Sequence, residues 1–263
     1  MIRRNVLDCP PEVLSLIIEH LLPARFNPPM TGFDDGDSET PNLQRLSLVC
    51  KALRELCLPY LFDTAYFQAT DHRNTTYSDP TRPHKEHVSI LRIKIGDHYT
   101  HEHFLRIASM LKDYIRDHNW RECSKLHTLQ VALFPNMTEN DVVQNAMESI
   151  GPIIEENLQH VTTVILETNM MPWSFHFAFS LIQACRTRLR RLEWIDESQA
   201  FTEYVKGISS RLSDLILLSE VTFSHLSGES LTEVIHTWGS VGHLRSVVFG
   251  SSNRPISSGG EYR

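Results

Sequence analysis

No uncharged apolar run in this chain approaches the roughly 18 residues needed to span a bilayer, so a membrane helix is not expected. Positive charge is in deficit. Lys and Arg number 25 against 32 Asp and Glu, a formal net charge of −7 at pH 7, which gives no electrostatic case for nucleic acid or an anionic membrane surface. Cysteine is sparse, odd in number and scattered, so the five thiols are expected to be reduced core residues in the cytoplasm or nucleus. The chain also lacks a phosphate-cradling glycine loop, a nucleophile elbow and a metalloprotease signature. No cysteine stands in a setting that would activate it as a nucleophile. Catalytic residues, cofactors and metals are therefore not expected. Arg3 and Arg4 before an apolar stretch superficially mimic a secretory leader, but Asp8, Pro10, Pro11, Glu12 and Glu19 interrupt that stretch.

What the chain does have is concentrated at its start. LDCPPEVLSLIIEHLL is followed some twenty residues later by NLQRLSLVCKALRELCLPYLF, and each reads as an amphipathic helix. Pro11 suits a first helical turn, where its missing N–H would have been unpaired, and Glu12 suits the positive end of the helix dipole. Val13, Leu14, Ile17, Ile18, Leu21 and Leu22 recur at helical spacing, as do Leu46, Val49, Cys50, Leu53, Leu56 and Cys57. Pro59 is expected to end the second helix at Leu58. A helical unit of about fifty residues is marginally stable alone, so a partner surface is implied.

These residues resemble an F-box. The family opens on Leu-Pro and an acidic residue, runs through a Leu/Ile-rich helix, and closes on Val-Cys-Lys and Pro-x-Leu-Phe. Here the matches are Pro10, Pro11 and Glu12, then Leu14, Ile17 and Leu21, then Leu46, Val49, Cys50 and Lys51, then Pro59, Leu61 and Phe62. Cys9 stands where the family usually has leucine, and the link from Pro23 to Pro41 is longer than usual. The resemblance covers residues 1–65. It implies that the residues from Pro10 to Lys51 named above dock on a Skp-family adaptor and, through it, on a cullin–RING ubiquitin ligase.

A second pattern fills the rest of the chain: an apolar residue, two arbitrary ones, an apolar, one arbitrary, an apolar. It occurs as Val88-Leu91-Ile93, Leu126-Leu129-Val131, Val161-Val164-Leu166, Leu189-Leu192-Trp194, Leu218-Val221-Phe223 and Leu244-Val247-Phe249, with starts 26 to 38 residues apart. The last two positions of each triplet alternate as a half-buried strand does. Helical spacing lies between them, in Phe104-Ala108-Leu111-Ile115, Val142-Val143-Ala146-Met147-Ile150, Phe175-Phe179-Ile182-Cys185, Phe201-Val205-Ile208-Leu212 and Leu231-Val234-Ile235-Trp238. Strand and helix repeating at this period predict an α/β architecture with parallel strands stacked as a solenoid over 88–250. The polar stretch 66–87 reads as a linker, with short edge strands as an alternative within it, and 251–263 as a flexible tail. The pattern is similar to the irregular leucine-rich repeats that often follow an F-box, although only Asn169 occupies the asparagine position of the regular repeat. An ordinary α/β domain with parallel strands is the alternative.

Together the two resemblances imply a substrate-recognition subunit of a Skp–cullin–F-box ligase. It would be non-catalytic, cytoplasmic or nuclear, and would present an unidentified target protein for ubiquitination. If the triplets face the core, Arg92, Lys94, Gln130, Ala132, Ile165, Glu167, Glu193, Ile195, Thr222 and Ser224 line the open sheet face. Of these, Arg92, Lys94, Gln130, Glu167, Glu193 and Thr222 are the candidate target-binding set. Two other functions fit the same sequence. One is a scaffold that binds the adaptor without degrading a target. The other is a metal-dependent hydrolase using His98, His101, Glu102 and His103. The simpler expectation for that turn is a polar helix start with Thr100 as N-cap. The acidic segment from Asp34 to Glu39 lacks the ligand rhythm of a calcium loop and reads as a solvated insertion.

Overall fold

The computed structural model describes residues 9–21, 41–71, 74–77, 84–96, 100–133, 141–168, 172–196, 215–224 and 245–250. The fold is α/β. Among the described residues three helices come first: α1 (Pro11–Leu21), α2 (Pro41–Ser47) and α3 (Lys51–Leu61). A sheet follows, built from β1 (Thr64–Asp71), β2 (Asn74–Tyr77), β3 (Ile90–Ile95), β4 (Thr128–Leu133), β5 (Thr163–Thr168), β6 (Arg191–Asp196), β7 (Glu220–Ser224) and β8 (Ser246–Gly250). Its order is β2-β1-β3-β4-β5-β6-β7-β8. β2 pairs antiparallel with β1, and every later neighbour pairs parallel. Between the strands lie α4 (His101–Asp117), α5 (Asp141–Glu148), α6 (Gly151–Asn157) and α7 (Pro172–Ala184). The long α4 packs on α5 and α6, and both of these pack on α7, so the four share one face of the sheet.

The sequence triplets are the physical unit of this sheet. Their first residues, Val88, Leu126, Val161, Leu189 and Leu218, are all buried just ahead of the strands. The following pairs, from Leu91 and Ile93 to Val221 and Phe223, face the helices in one continuous core. One backbone carbonyl per step accepts two N–H groups from the next unit. Asp63 O takes Ser89 and Ile90, Ser89 O takes His127 and Thr128, and His127 O takes Thr162 and Thr163. Thr162 O, Arg190 O and Ser219 O continue the series to Arg245 and Ser246. The same bond at six successive steps is a structural repeat, seen independently of side-chain similarity.

Several expectations need correction. The segment 66–87 is not a linker, because β1 and β2 occupy most of its described part and β1 pairs with β3 from Thr64↔Ile90 to Ala69↔Ile95. The signal was present: Phe62, Ala65 and Phe67 have the triplet spacing, and Ala65 and Phe67 are fully buried. The second N-terminal helix is two, broken between Ser47 and Lys51, and Cys50 caps the latter, its Sγ accepting the Leu53 N–H at 3.5 Å. Pro59 does not end α3, which runs on to Leu61 with Phe62 N–H still bonded to Leu58 O at 3.0 Å. The one bond Pro59 cannot donate would have gone to the carbonyl of Glu55, an exposed residue. The Val142–Ile150 pattern forms α5 only as far as Met147, and Ile150 stands at the start of a further helix, α6. The patterns Phe201–Leu212 and Leu231–Trp238, the insertion Asp34–Glu39, Asn169 and the tail 251–263 lie outside the described residues.

The α6–α7 contact is close enough to test. A Cβ added at Gly151 would collide with Ser180 Oγ and meet the Ser180 carbonyl at 3.3 Å. Ser180 Oγ donates to Glu148 O at 3.1 Å, so making room breaks that bond. Gly151→Ala is expected to destabilise the fold by about 1–2 kcal/mol. Adding Ser180→Ala should recover much of that loss, measured by urea denaturation of the two single variants and the double variant.

Candidate functional site

Two surfaces carry the candidate residues. The first is the helical trio. Ile18, Leu43 and Cys57 form its buried centre, with Leu46, Leu56, Tyr60 and Leu61 packed around them. Tyr60 Oη donates to Glu19 Oε1 at 3.3 Å, tying α3 to α1. Arg54 Nε reaches back to Ser47 O at 3.3 Å and satisfies a terminal carbonyl of α2. Burial, and then Glu19, raise the Tyr60 hydroxyl above its usual pKa.

Helix α1 is apolar on more faces than this packing uses. Leu14 and Ile18 point inward, whereas Val13, Leu16 and Ile17, at helical spacing, stay in water. The turn after α2 adds two more. Leu16 is 58% exposed, Leu48 74% and Val49 64%, values that single these side chains out as unpartnered apolar surface. Of the motif residues, Pro10, Pro11, Glu12, Ile17, Val49 and Lys51 are exposed. Leu14, expected on the docking face, is instead buried at 5% exposure. Leu46 is half-buried against the trio's centre and Cys50 is engaged as a cap, so both shape the unit from within. Leu21 ends α1, and its side chain lies outside the described residues. Leu16 and Leu48 were missed because each lies next to a motif residue and off the assumed stripe.

The second surface is the sheet face opposite α4–α7. Register aligns one row across the strands: Tyr66, Arg92, Gln130, Ile165, Glu193, Thr222 and Val248. The neighbouring row runs Gln68, Lys94, Ala132, Glu167 and Ile195. All six candidate target-binding residues therefore fall in two adjacent rows. Arg92 Nε donates to Gln130 Oε1 at 3.1 Å along the row. Arg191 Nη2 lies 3.3 Å from Glu193 Oε2. The expected uniform exposure does not hold. Glu193, Thr222 and Ala132 are buried, Glu193 to 5% exposure. Adjacent strands lie about 4.8 Å apart, so longer neighbours cover shorter side chains, as Lys94 and Glu167 flank Ala132. The face is basic at β3 and acidic at β5 and β6. Tyr66 and Gln68, on the strand that the sequence pattern did not single out, extend it.

The histidine-rich turn is a helix start. Thr100 Oγ1 accepts the His103 N–H at 3.3 Å and caps α4, with exposed His101 and Glu102 in the first turn. His98 lies outside the described residues. At its other end α4 stops at Asp117, and Asn119, two residues on, has a left-handed φ of 47°, a conformation asparagine tolerates.

All five cysteines are free, with Cys57, Cys123 and Cys185 buried. Burial raises all three thiols above their usual pKa, Cys185 to about 11, which suppresses the nucleophilic thiolate. No described helix is long and apolar enough to cross a membrane. Comparison with protein-family models, curated proteins and solved structures finds no match.

Proposed function

We propose that this chain is a non-catalytic substrate receptor of a Skp–cullin–F-box ubiquitin ligase, acting in the cytoplasm or nucleus. The helical trio docks on a Skp-family adaptor, and the repeat sheet, read as an irregular leucine-rich-repeat-like solenoid, holds a target protein. The observation that carries this reading is the division of labour within the N-terminal motif. Leu14 and Ile18 are buried, while Ile17 and Val49, with Leu16 and Leu48 beside them, are left exposed. Apolar side chains arranged this way favour a protein partner over water. The six-step carbonyl series and the sequential strand order from β3 to β8 support a repeat unit rather than a doubly wound domain. Such a receptor contributes proximity: a target held at a fixed offset has its lysines at high effective concentration near the ubiquitin carrier.

The test is co-expression with a Skp-family adaptor followed by size-exclusion chromatography. A soluble one-to-one complex is expected. A chain that elutes as a stable monomer beside free adaptor would remove the ligase reading.

A further inference from the structure

The chain between β2 and β3 brings three metal-ligating side chains together outside the surfaces just described. One ring nitrogen each from His84 and His87 and one carboxylate oxygen of Glu86 all lie within 4.8 Å of one another. Residues 85–87 form a 3-10 turn, a geometry that stacks side chains three apart. It places the His84 and His87 rings face to face with centroids 6.2 Å apart. His87 Nε2 stands 3.5 Å from Glu86 Oε1. Two ligands held ~2.1 Å from one tetrahedral ion are separated by roughly 3.4 Å, so this pair already has the spacing a zinc ion needs.

The surroundings favour the same use. The Phe62 ring packs 4.4 Å from the His84 ring and orients it. Lys85, on the same turn, is paired with Glu122. Just beyond the turn, Val88 is buried and Ser89 N–H bonds Asp63 O at 2.8 Å, so the ligand-bearing turn is anchored where the helical trio meets the sheet.

We propose that His84, Glu86 and His87 bind a first-row divalent cation, with zinc the best match to two imidazoles and a carboxylate. Glu86 is exposed, which leaves a fourth position for water. This inference does not depend on the docking reading.

The test is zinc titration of the full chain against a chromophoric competitor, with cobalt as spectroscopic probe. One equivalent is expected to bind, with a tetrahedral cobalt spectrum. Removing a ligand in His84→Ala or His87→Ala should weaken binding well over tenfold, since even changes outside the ligand set typically cost about 10- to 100-fold. Glu86→Gln, at an exposed position that leaves folding intact, should weaken it as well. His101→Ala with His103→Ala, in the other histidine-rich turn, should leave it unchanged. Unaltered affinity in Glu86→Gln and in whichever histidine variant folds would overturn the site. So would wild-type binding no tighter than that of the ligand variants, the mark of scattered surface histidines.

Discussion

A chain carrying Ile17→Asp together with Val49→Asp is expected to lose co-purification with a Skp-family adaptor while keeping its fold. Both side chains are largely solvent-exposed, Ile17 at 42% and Val49 at 64%, so a carboxylate there remains hydrated in the free protein. In a complex it would be buried against an apolar partner without compensation. Truncating one central anchor of an interface costs about 2 kcal/mol or more. Two such losses correspond to roughly a thousandfold in affinity. Ile18→Asp is the informative contrast. Ile18 is fully buried between Leu43 and Cys57, and a charge there should unfold the trio itself. Circular dichroism separates the two outcomes. Wild-type adaptor binding by the folded Ile17/Val49 variant would move the docking surface elsewhere.

The largest stability effect is expected at Trp194. It is fully buried on the helix-facing side of β6, and its ring stacks on Phe175 with centroids 6.0 Å apart. Its Nε1 donates to Thr168 Oγ1 on the neighbouring strand at 3.0 Å. Trp194→Ala removes the ring's dispersion contacts and leaves a cavity in a tightly packed interior, at a cost of about 3–5 kcal/mol. Trp194→Phe should retain most of the apolar contact and lose the cross-strand hydrogen bond, costing about 1–3 kcal/mol. A double cycle with Thr168→Val isolates the bond, because the coupling falls to zero once either partner is gone. Chemical denaturation that finds Trp194→Ala within 1 kcal/mol of wild type would contradict the packing described for β5 and β6.

Most of the sheet was legible from short-range spacing. Six triplets, from Val88 to Phe249, coincide with six strands in sequence order. β1 was harder to see. Ala65 and Ala69 carry little hydrophobic signal and little strand preference of their own. They become strand residues because β3 offers a complete row of partners, from Thr64↔Ile90 to Ala69↔Ile95. The candidate target face was half legible. Alternation correctly placed Arg92, Gln130, Glu193 and Thr222 on one side, but alternation says nothing about depth. Glu193 is buried although it faces away from the helices, because depth depends on the side chains that register sets beside it, here Ile165 and Thr222.

The sequence by itself determined the local alternation of β3 to β8: that these segments become parallel strands, and which of their positions face the core. Both follow from periods of 3.6 and 2 residues, which a chain carries regardless of its partners. Only the tertiary structure decided which apolar residues of α1 are consumed in packing and which stay available. It also decided that the segment 66–87 joins the sheet, and that His84, Glu86 and His87 converge where α3 meets β3. Those outcomes depend on what other segments supply at each face, and a spacing pattern holds no record of its neighbours.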